Sequence, residues 1–325
     1  MIQHIRRGNR TSFIFALSIG VLLIIHGCKN EVIETDLQKR KTVIVYMPAE
    51  NSLNSFCYSD LEEILSVRSK IPSNNNVIVY IDKSKTLDID TLPQLLEISN
   101  KEYKTIKVYP EQDSCNDSVF SLVLSDIKSL SPSESYSLVM WSHGTGWIPS
   151  RNTPHKTIGI DNNNNSYLNS GTEMEIASMR EAIEYTGLHF DCIMFDACFM
   201  QCIEVAYELK DITDFVIGSP AEIPAKGAPY NVVIPDFFLT DTETPAYVFA
   251  KDYFENYNYN EGVLLSVIKT SELDNLANIT SLCFDSIPDV NDADVIQALP
   301  LGLQNLCGDQ NITIWQVLFT IRLIH

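Results

Sequence analysis

The chain has 325 residues, of which 45% are hydrophobic, so a sizeable core is available and wholesale disorder is excluded. Its formal net charge of -19 leaves no surplus of Lys and Arg to neutralise phosphates, which argues against a nucleic-acid partner. Such acidity is compatible with a basic substrate, but it reports first on solubility and association.

Residues 1–27 read as an export signal. Arg6, Arg7 and Arg10 form a basic start, and residues 12–25 form an almost unbroken apolar run. That run is too short to span a bilayer comfortably and fits a signal-peptide core. It closes on Ile25-His26-Gly27-Cys28, which resembles a bacterial lipobox. The resemblance implies cleavage before Cys28 and lipid attachment to it. The protein is then exported and held at the cell envelope, with membrane contact through the lipid anchor only. Residues 28–40 are polar and aperiodic and read as a tether.

A different pattern begins at residue 41. Short β-branched or apolar runs occur at 42–47 (TVIVYM), 77–81 (VIVYI), 105–109 (TIKVY), 136–141 (YSLVMW), 192–195 (CIMF), 215–217 and 262–268 (GVLLSVI). Bounded by Pro, Asn, Asp and Gly, such runs are expected of buried strands in a parallel sheet. Helical stretches alternate with them: 52–67 after the first run, 117–130 before the fourth and 173–186 before the fifth. In the last of these, Met174, Ile176, Met179, Ala182 and Ile183 share one helical face. The class is therefore α/β with a mainly parallel sheet. Residues 149–170, with their asparagine run, and the Pro/Gly-rich stretch 219–235 read as loops. Residues 271–306 read as helical. The apolar segment 312–324 reads either as a final buried element or as the point where a longer product has been cut short. The expected organisation is a signal at 1–27, a tether at 28–40, a core at 41–270 and a helical extension at 271–325.

The eight cysteines include no CxxC pair, and the group Cys192, Cys198 and Cys202 lacks the spacing and neighbouring His of a zinc site, so no metal is expected. Chemistry concentrates in two loops that follow apolar strands: Trp141-Ser142-His143-Gly144-Thr145-Gly146-Trp147 and Phe195-Asp196-Ala197-Cys198-Phe199-Met200. In an open parallel sheet, sites form beyond the C-terminal ends of the strands. A histidine on one loop and a cysteine on its neighbour can meet there although far apart in sequence. The imidazole takes the thiol proton, and the thiolate attacks a carbonyl. The imidazolium then protonates the leaving amine. Glycine beside the histidine admits substrate to the backbone, so the Gly144 and Cys198 amides are the candidate oxyanion donors. Each residue alone has a structural reading, a turn for His143-Gly144 and a core thiol for Cys198; their joint placement favours chemistry.

Four blocks carry a family resemblance: KTVIVYMPAENSLNSF (residues 41–56), LVMWSHGTGW (138–147), IMFDACFMQCIEVAYEL (193–209) and SPAEIPAKGAPY (219–230). In this order and spacing the chain resembles the clostripain-like cysteine peptidases. The resemblance implies a caspase-like three-layer sandwich and an endopeptidase that cuts after Arg or Lys. It also implies a catalytic dyad of His143 and Cys198. Asp196 matches the family's acidic floor for a basic side chain, where a buried carboxylate would favour a cation; a strand-terminal aspartate also caps backbone amides. Relatives often cut themselves between the histidine and cysteine blocks, and here Lys156 and Arg151 are the candidate sites, since Arg180 falls in an expected helix. Some relatives use Ca²⁺, but no spaced calcium loop is present and no cofactor is assigned. His155, His189, Cys192 and Cys202 read as surface or packing residues. Two further readings share these motifs. One is a binding or scaffolding lipoprotein without turnover, and the other is a cysteine acyl-transferase. The blocks end before residue 270, and no further block is assigned beyond it.

Overall fold

The strand that organises the molecule is β1, Lys41–Ala49, in which every residue after Lys41 is buried. A strand covered on both faces has no need of polar alternation, which is why TVIVYM is continuously apolar. The computed structural model describes residues 40–84, 92–99, 102–146, 157–163, 171–239, 244–257 and 262–285. All of these lie in one of the chain's two compact units, Lys39–His325.

After β1 the elements run as follows. Helix α1 is Phe56–Ser66, strand β2 Asn76–Lys83, β3 Gln94–Ser99 and β4 Glu102–Val108. Helix α2 is Asp117–Leu130 and strand β5 Ser135–Trp141. Strands β6, Thr157–Asp161, and β7, Thr172–Glu175, lead into helix α3, Ile176–Thr186. Then come β8, Cys192–Asp196, helix α4, Ile203–Glu208, β9, Phe215–Gly218, and helix α5, Tyr230–Val233. Helix α6, Thr244–Glu255, strand β10, Ser266–Lys269, and helix α7, Leu273–Asp285, complete the described chain.

Among the described residues, eight strands form one sheet in the order β10-β9-β8-β5-β1-β2-β3-β4. The centre from β9 to β2 is parallel, whereas β10 and the β3–β4 hairpin are antiparallel. Side chains alternate between two cores. Ile44, Tyr46, Tyr80, Met140 and Phe195 face α2, α3 and α4. Val43, Val45, Met47, Trp141 and Met194 face α1, α5 and α6. The result is the expected three-layer α/β/α sandwich. On the first face Tyr46 stacks on Tyr80 with ring centroids 4.5 Å apart, and Phe120 of α2 meets Tyr46 edge-on at 4.8 Å. The α2 N-terminus is capped by the Asn116 side chain, which accepts from Ser118 N–H and Val119 N–H.

Several boundaries differ from the sequence reading. Residues 157–161 are not loop but strand, paired with β7, and residues 172–175 are strand before α3 begins at Ile176. The buried Ile158 and Met174 lie opposite one another there, a cross-strand pair hidden in sequence by the intervening polar residues. The run at 105–109 contributes to an antiparallel hairpin with β3, which was not expected. Helix α1 starts at Phe56 instead of residue 52 because the Asn51 side chain accepts from Leu53 N–H at 2.8 Å and holds a turn. The stretch 219–235 contains α5 and leads into a 3₁₀ turn, Ile234–Phe238. Only Ser266–Lys269 of the run expected at 262–268 lies in the sheet. Cys28, Trp147, Arg151, His155, Lys156 and the apolar segment 312–324 lie outside the described residues. No helix of the described residues is long and apolar enough to cross a membrane.

Candidate active site

Strands β5 and β8 are parallel neighbours, and their register sets Met140 opposite Phe195 and Trp141 opposite Asp196. His143 and Cys198 each follow two residues after the last of these pairs, so both emerge at the same edge of the sheet. The loops touch. A Cβ built on Gly144 would lie 2.8 Å from the Cys198 carbonyl oxygen and 2.8 Å from Met200 Sδ. One built on Gly146, where φ is +58°, would lie 2.1 Å from the Phe199 carbonyl oxygen. Glycine is therefore required by close approach at both positions.

The histidine loop is fixed from β1. Ser142 Oγ donates to the Pro48 carbonyl at 3.0 Å, and Asn51 Nδ2 donates to the Pro48 and Ile160 carbonyls at 2.9 Å each. The Gly159 N–H donates to the His143 carbonyl at 2.8 Å. The His143 imidazole itself is engaged by Ser52, whose Oγ lies 3.0 Å from Nε2. Burial holds the His143 pKa below its ordinary value.

The cysteine loop turns sharply. Phe199 has φ of +62°, a left-handed conformation uncommon for a residue with a side chain. It is held there by Phe199 N–H donating to the Ala221 carbonyl at 3.0 Å and by Gln201 N–H donating to the Ser219 carbonyl at 3.0 Å. The Cys198 thiol is half-buried. It accepts from Ile223 N–H at 3.4 Å and lies 3.9 Å from the Ile223 carbonyl. Burial pushes its pKa up, the Ile223 N–H offsets part of this, and the charges of Glu222 and Asp196 add to it. Among the described hydrogen bonds none joins His143 to Cys198. The structure thus brings the two expected groups to one edge, each bonded to another partner, and both uncharged forms are favoured.

Asp196 lies beneath the cysteine turn, 4% exposed. Its Oδ2 accepts from Ala228 N–H at 2.9 Å and from Tyr230 Oη at 2.8 Å, and its Oδ1 accepts from Tyr253 Oη at 3.2 Å. Burial raises its pKa against those three donors. The carboxylate therefore ties the 227–230 segment and α6 to β8. It has a second acidic neighbour that the sequence reading missed. Asp60 of α1 accepts from Trp141 Nε1 at 2.7 Å, and burial with the Asp196 charge lifts its pKa to about 8. Ser52 and Asn51 were missed too, although both belong to the quoted block at residues 41–56; a serine 91 residues from the histidine gives no local signal.

The sequence matches the clostripain family, peptidase C11, over residues 45–306. The chain is similar to the solved structure of a secreted C11 cysteine protease from Bacteroides thetaiotaomicron in complex with an irreversible peptide inhibitor. The identity is 35%, over 76% of this chain and 71% of that chain, with a TM-score of 0.65. It is also similar to iotapain, a secreted C11 cysteine protease from the same organism, at 28% identity over 76% of this chain and 70% of that chain, with a TM-score of 0.63. An inactive zymogen C11 protease from Parabacteroides distasonis aligns at 30% identity over 81% of this chain and 70% of that chain, with a TM-score of 0.64. No curated protein matches.

Asp60 gives the site a measurable pH signature. Folded, it holds its proton up to about pH 8, whereas the ordinary value is 3.8. Between those values the folded state binds the extra proton, so this group makes stability fall as pH rises. Asp60→Asn is expected to flatten the dependence over that window. Urea unfolding across the pH series measures it, and equal slopes in wild type and variant would contradict the assignment.

Proposed function

Because this chain belongs to the clostripain family of cysteine peptidases, we propose that it is a cysteine endopeptidase acting through Cys198 and His143. The observation that carries this reading is the direct packing of the histidine loop on the cysteine loop, Gly144 against the Cys198 backbone. In the reaction, His143 takes the Cys198 proton and the sulfur attacks the peptide carbonyl. The Gly144 and Cys198 N–H groups are assigned to the oxyanion, the charge that develops in the transition state. His143 then returns the proton to the leaving amine, and water releases the acyl group.

The bonds of Ser52 to His143 and of Ile223 to Cys198 favour a resting form in which the dyad is not yet paired. One similar solved protein is described as an inactive zymogen. In this reading, activation exchanges those two partners for each other. Self-cleavage after Lys156 or Arg151 is assigned to this step on sequence grounds. The secreted relatives and the signal-like start support export, with lipid on Cys28; partition into detergent that is lost in Cys28→Ser is the measurement for the anchor.

Cleavage after Arg or Lys is supported by the buried Asp196 carboxyl beneath the nucleophile turn. Asp196 also has three internal donors, so it acts on a basic side chain from beneath the 227–230 segment that it anchors.

Two outcomes follow. An arginine- or lysine-directed electrophile should label wild type on Cys198 alone, and Cys198→Ala should lose both label and cleavage while keeping the fold. Label on Cys192 or Cys202, or cleavage by the variant, would overturn the assignment; intact mass of the two proteins side by side reports any self-cleavage and its position. Asp196→Asn should lower the preference for basic over neutral residues in kcat/KM, because it removes the buried negative charge beneath the pocket while nearly keeping its shape. The ratio is the readout because the variant also loosens the segment Asp196 holds, and an unchanged ratio would place selectivity elsewhere.

A further inference from the structure

Strand β6 is built into the support of His143. Thr145, two residues past the histidine, donates its N–H to the Thr157 carbonyl at 3.1 Å, and Gly159 N–H donates to the His143 carbonyl at 2.8 Å. Between these bonds Gly144 pairs with Ile158 in an antiparallel bridge. The histidine loop therefore runs as an added strand beside β6. That strand begins at Thr157, the residue that follows Lys156 in the chain.

Thr157 is buried although it opens a strand. Its N–H donates to Thr145 Oγ1 at 3.1 Å. Its hydroxyl lies 3.0 Å from Thr145 Oγ1 and donates to Glu173 Oε2. Glu175 stands opposite Thr157 in the ladder, so Glu173, two residues before it, shares the same face of the hairpin. Hydrolysis of the bond between Lys156 and Thr157 changes what this position must satisfy. Water gives its hydroxyl to the Lys156 carbonyl carbon and a hydrogen to the Thr157 nitrogen, and the new amine takes one further proton from solvent. A positive charge then stands at a buried point, which is costly unless a counter-ion is already there. Glu173 is that counter-ion, already bonded to the same residue through its hydroxyl.

We propose that Glu173 and Thr145 form a receptor for the α-ammonium that cutting after Lys156 creates on Thr157. The proposal rests on the self-cleavage assigned above, and it singles out Lys156 from Arg151. A cut after Arg151 leaves the new terminus on Asn152, five residues upstream of Thr157, where neither receptor group stands. The ammonium brings three donors where the amide had one. It keeps Thr145 Oγ1 as an acceptor and gains the Glu173 carboxylate in a charge-assisted bond. The cut is thereby coupled to the histidine. Fixing Thr157 fixes the strand whose N–H at Gly159 holds the His143 carbonyl, and it also fixes Thr145 on the histidine loop itself.

The test uses the full-length chain carrying Cys198→Ala, with the factor Xa sequence Ile-Glu-Gly-Arg in place of residues 153–156. Factor Xa then frees the Thr157 amine without any contribution from the chain's own peptidase activity, so the result is separable from the proposed function. Acetylation of that amine as a function of pH, read by peptide mass spectrometry, should show a midpoint about one pH unit or more above that of a free α-amine. The melting temperature should rise on cutting. Glu173→Gln should remove both effects, with the uncut variant still folded. A second chain, in which the factor Xa sequence is followed by one added residue before Thr157, keeps Glu173 and Thr145 intact and should lose both effects as well. An ordinary α-amine midpoint for Thr157 in the cut chain, or an unchanged midpoint in Glu173→Gln, would overturn the proposal.

Discussion

The close approach of two loop backbones, Gly144 on the Cys198 carbonyl, is the constraint on which the site depends. It exists because β5 and β8 are parallel and in register to their last residues, Trp141 opposite Asp196. A parallel pair delivers both loops to the same edge, which an antiparallel pair would not. Closeness of this kind admits no side chain at position 144, and it leaves the following turn little freedom. Phe199 accordingly takes a left-handed backbone, held by hydrogen bonds to Ala221 and Ser219. Strain at a single residue costs on the order of 1–3 kcal/mol and persists only where the surroundings over-determine it.

Charge is the second organising feature. The C-terminal edge of the sheet gathers Asp82, Asp196 and, through Trp141, Asp60, each with its pKa raised by burial. Such groups are destabilising as anions unless something positive meets them. The proposed function gives Asp196 such a partner, the basic side chain of a substrate. The same burial acts on the dyad with opposite consequences for its two members, favouring the thiol of Cys198 and the neutral imidazole of His143.

What was legible in the sequence follows from where each element is buried. Strands β1, β5 and β8 are covered on both faces, and their apolar runs stand out. Helix α2 carries its own cap at Asn116 and a clear apolar face, and its bounds match the sequence reading. Strands β3, β6 and β7 are short and mix polar with apolar residues, so their identity rests on partners distant in sequence, such as Ile158 and Met174. The candidate nucleophile, base and glycine were legible because each sits within a contiguous block beside a strand. Ser52, Asp60 and the Ile223 backbone were not, since their roles exist only after folding.

The central claim is that the resting dyad is neutral and unpaired, with the thiol bonded to Ile223 and the imidazole to Ser52. The rate of Cys198 alkylation as a function of pH, read on the intact protein by mass spectrometry, tests it most directly. The inflection is expected above the ordinary thiol value of 9.0, because a half-buried thiol without an imidazolium partner resists ionisation. An inflection at or below neutral pH would show a thiolate–imidazolium pair already formed and would contradict the account.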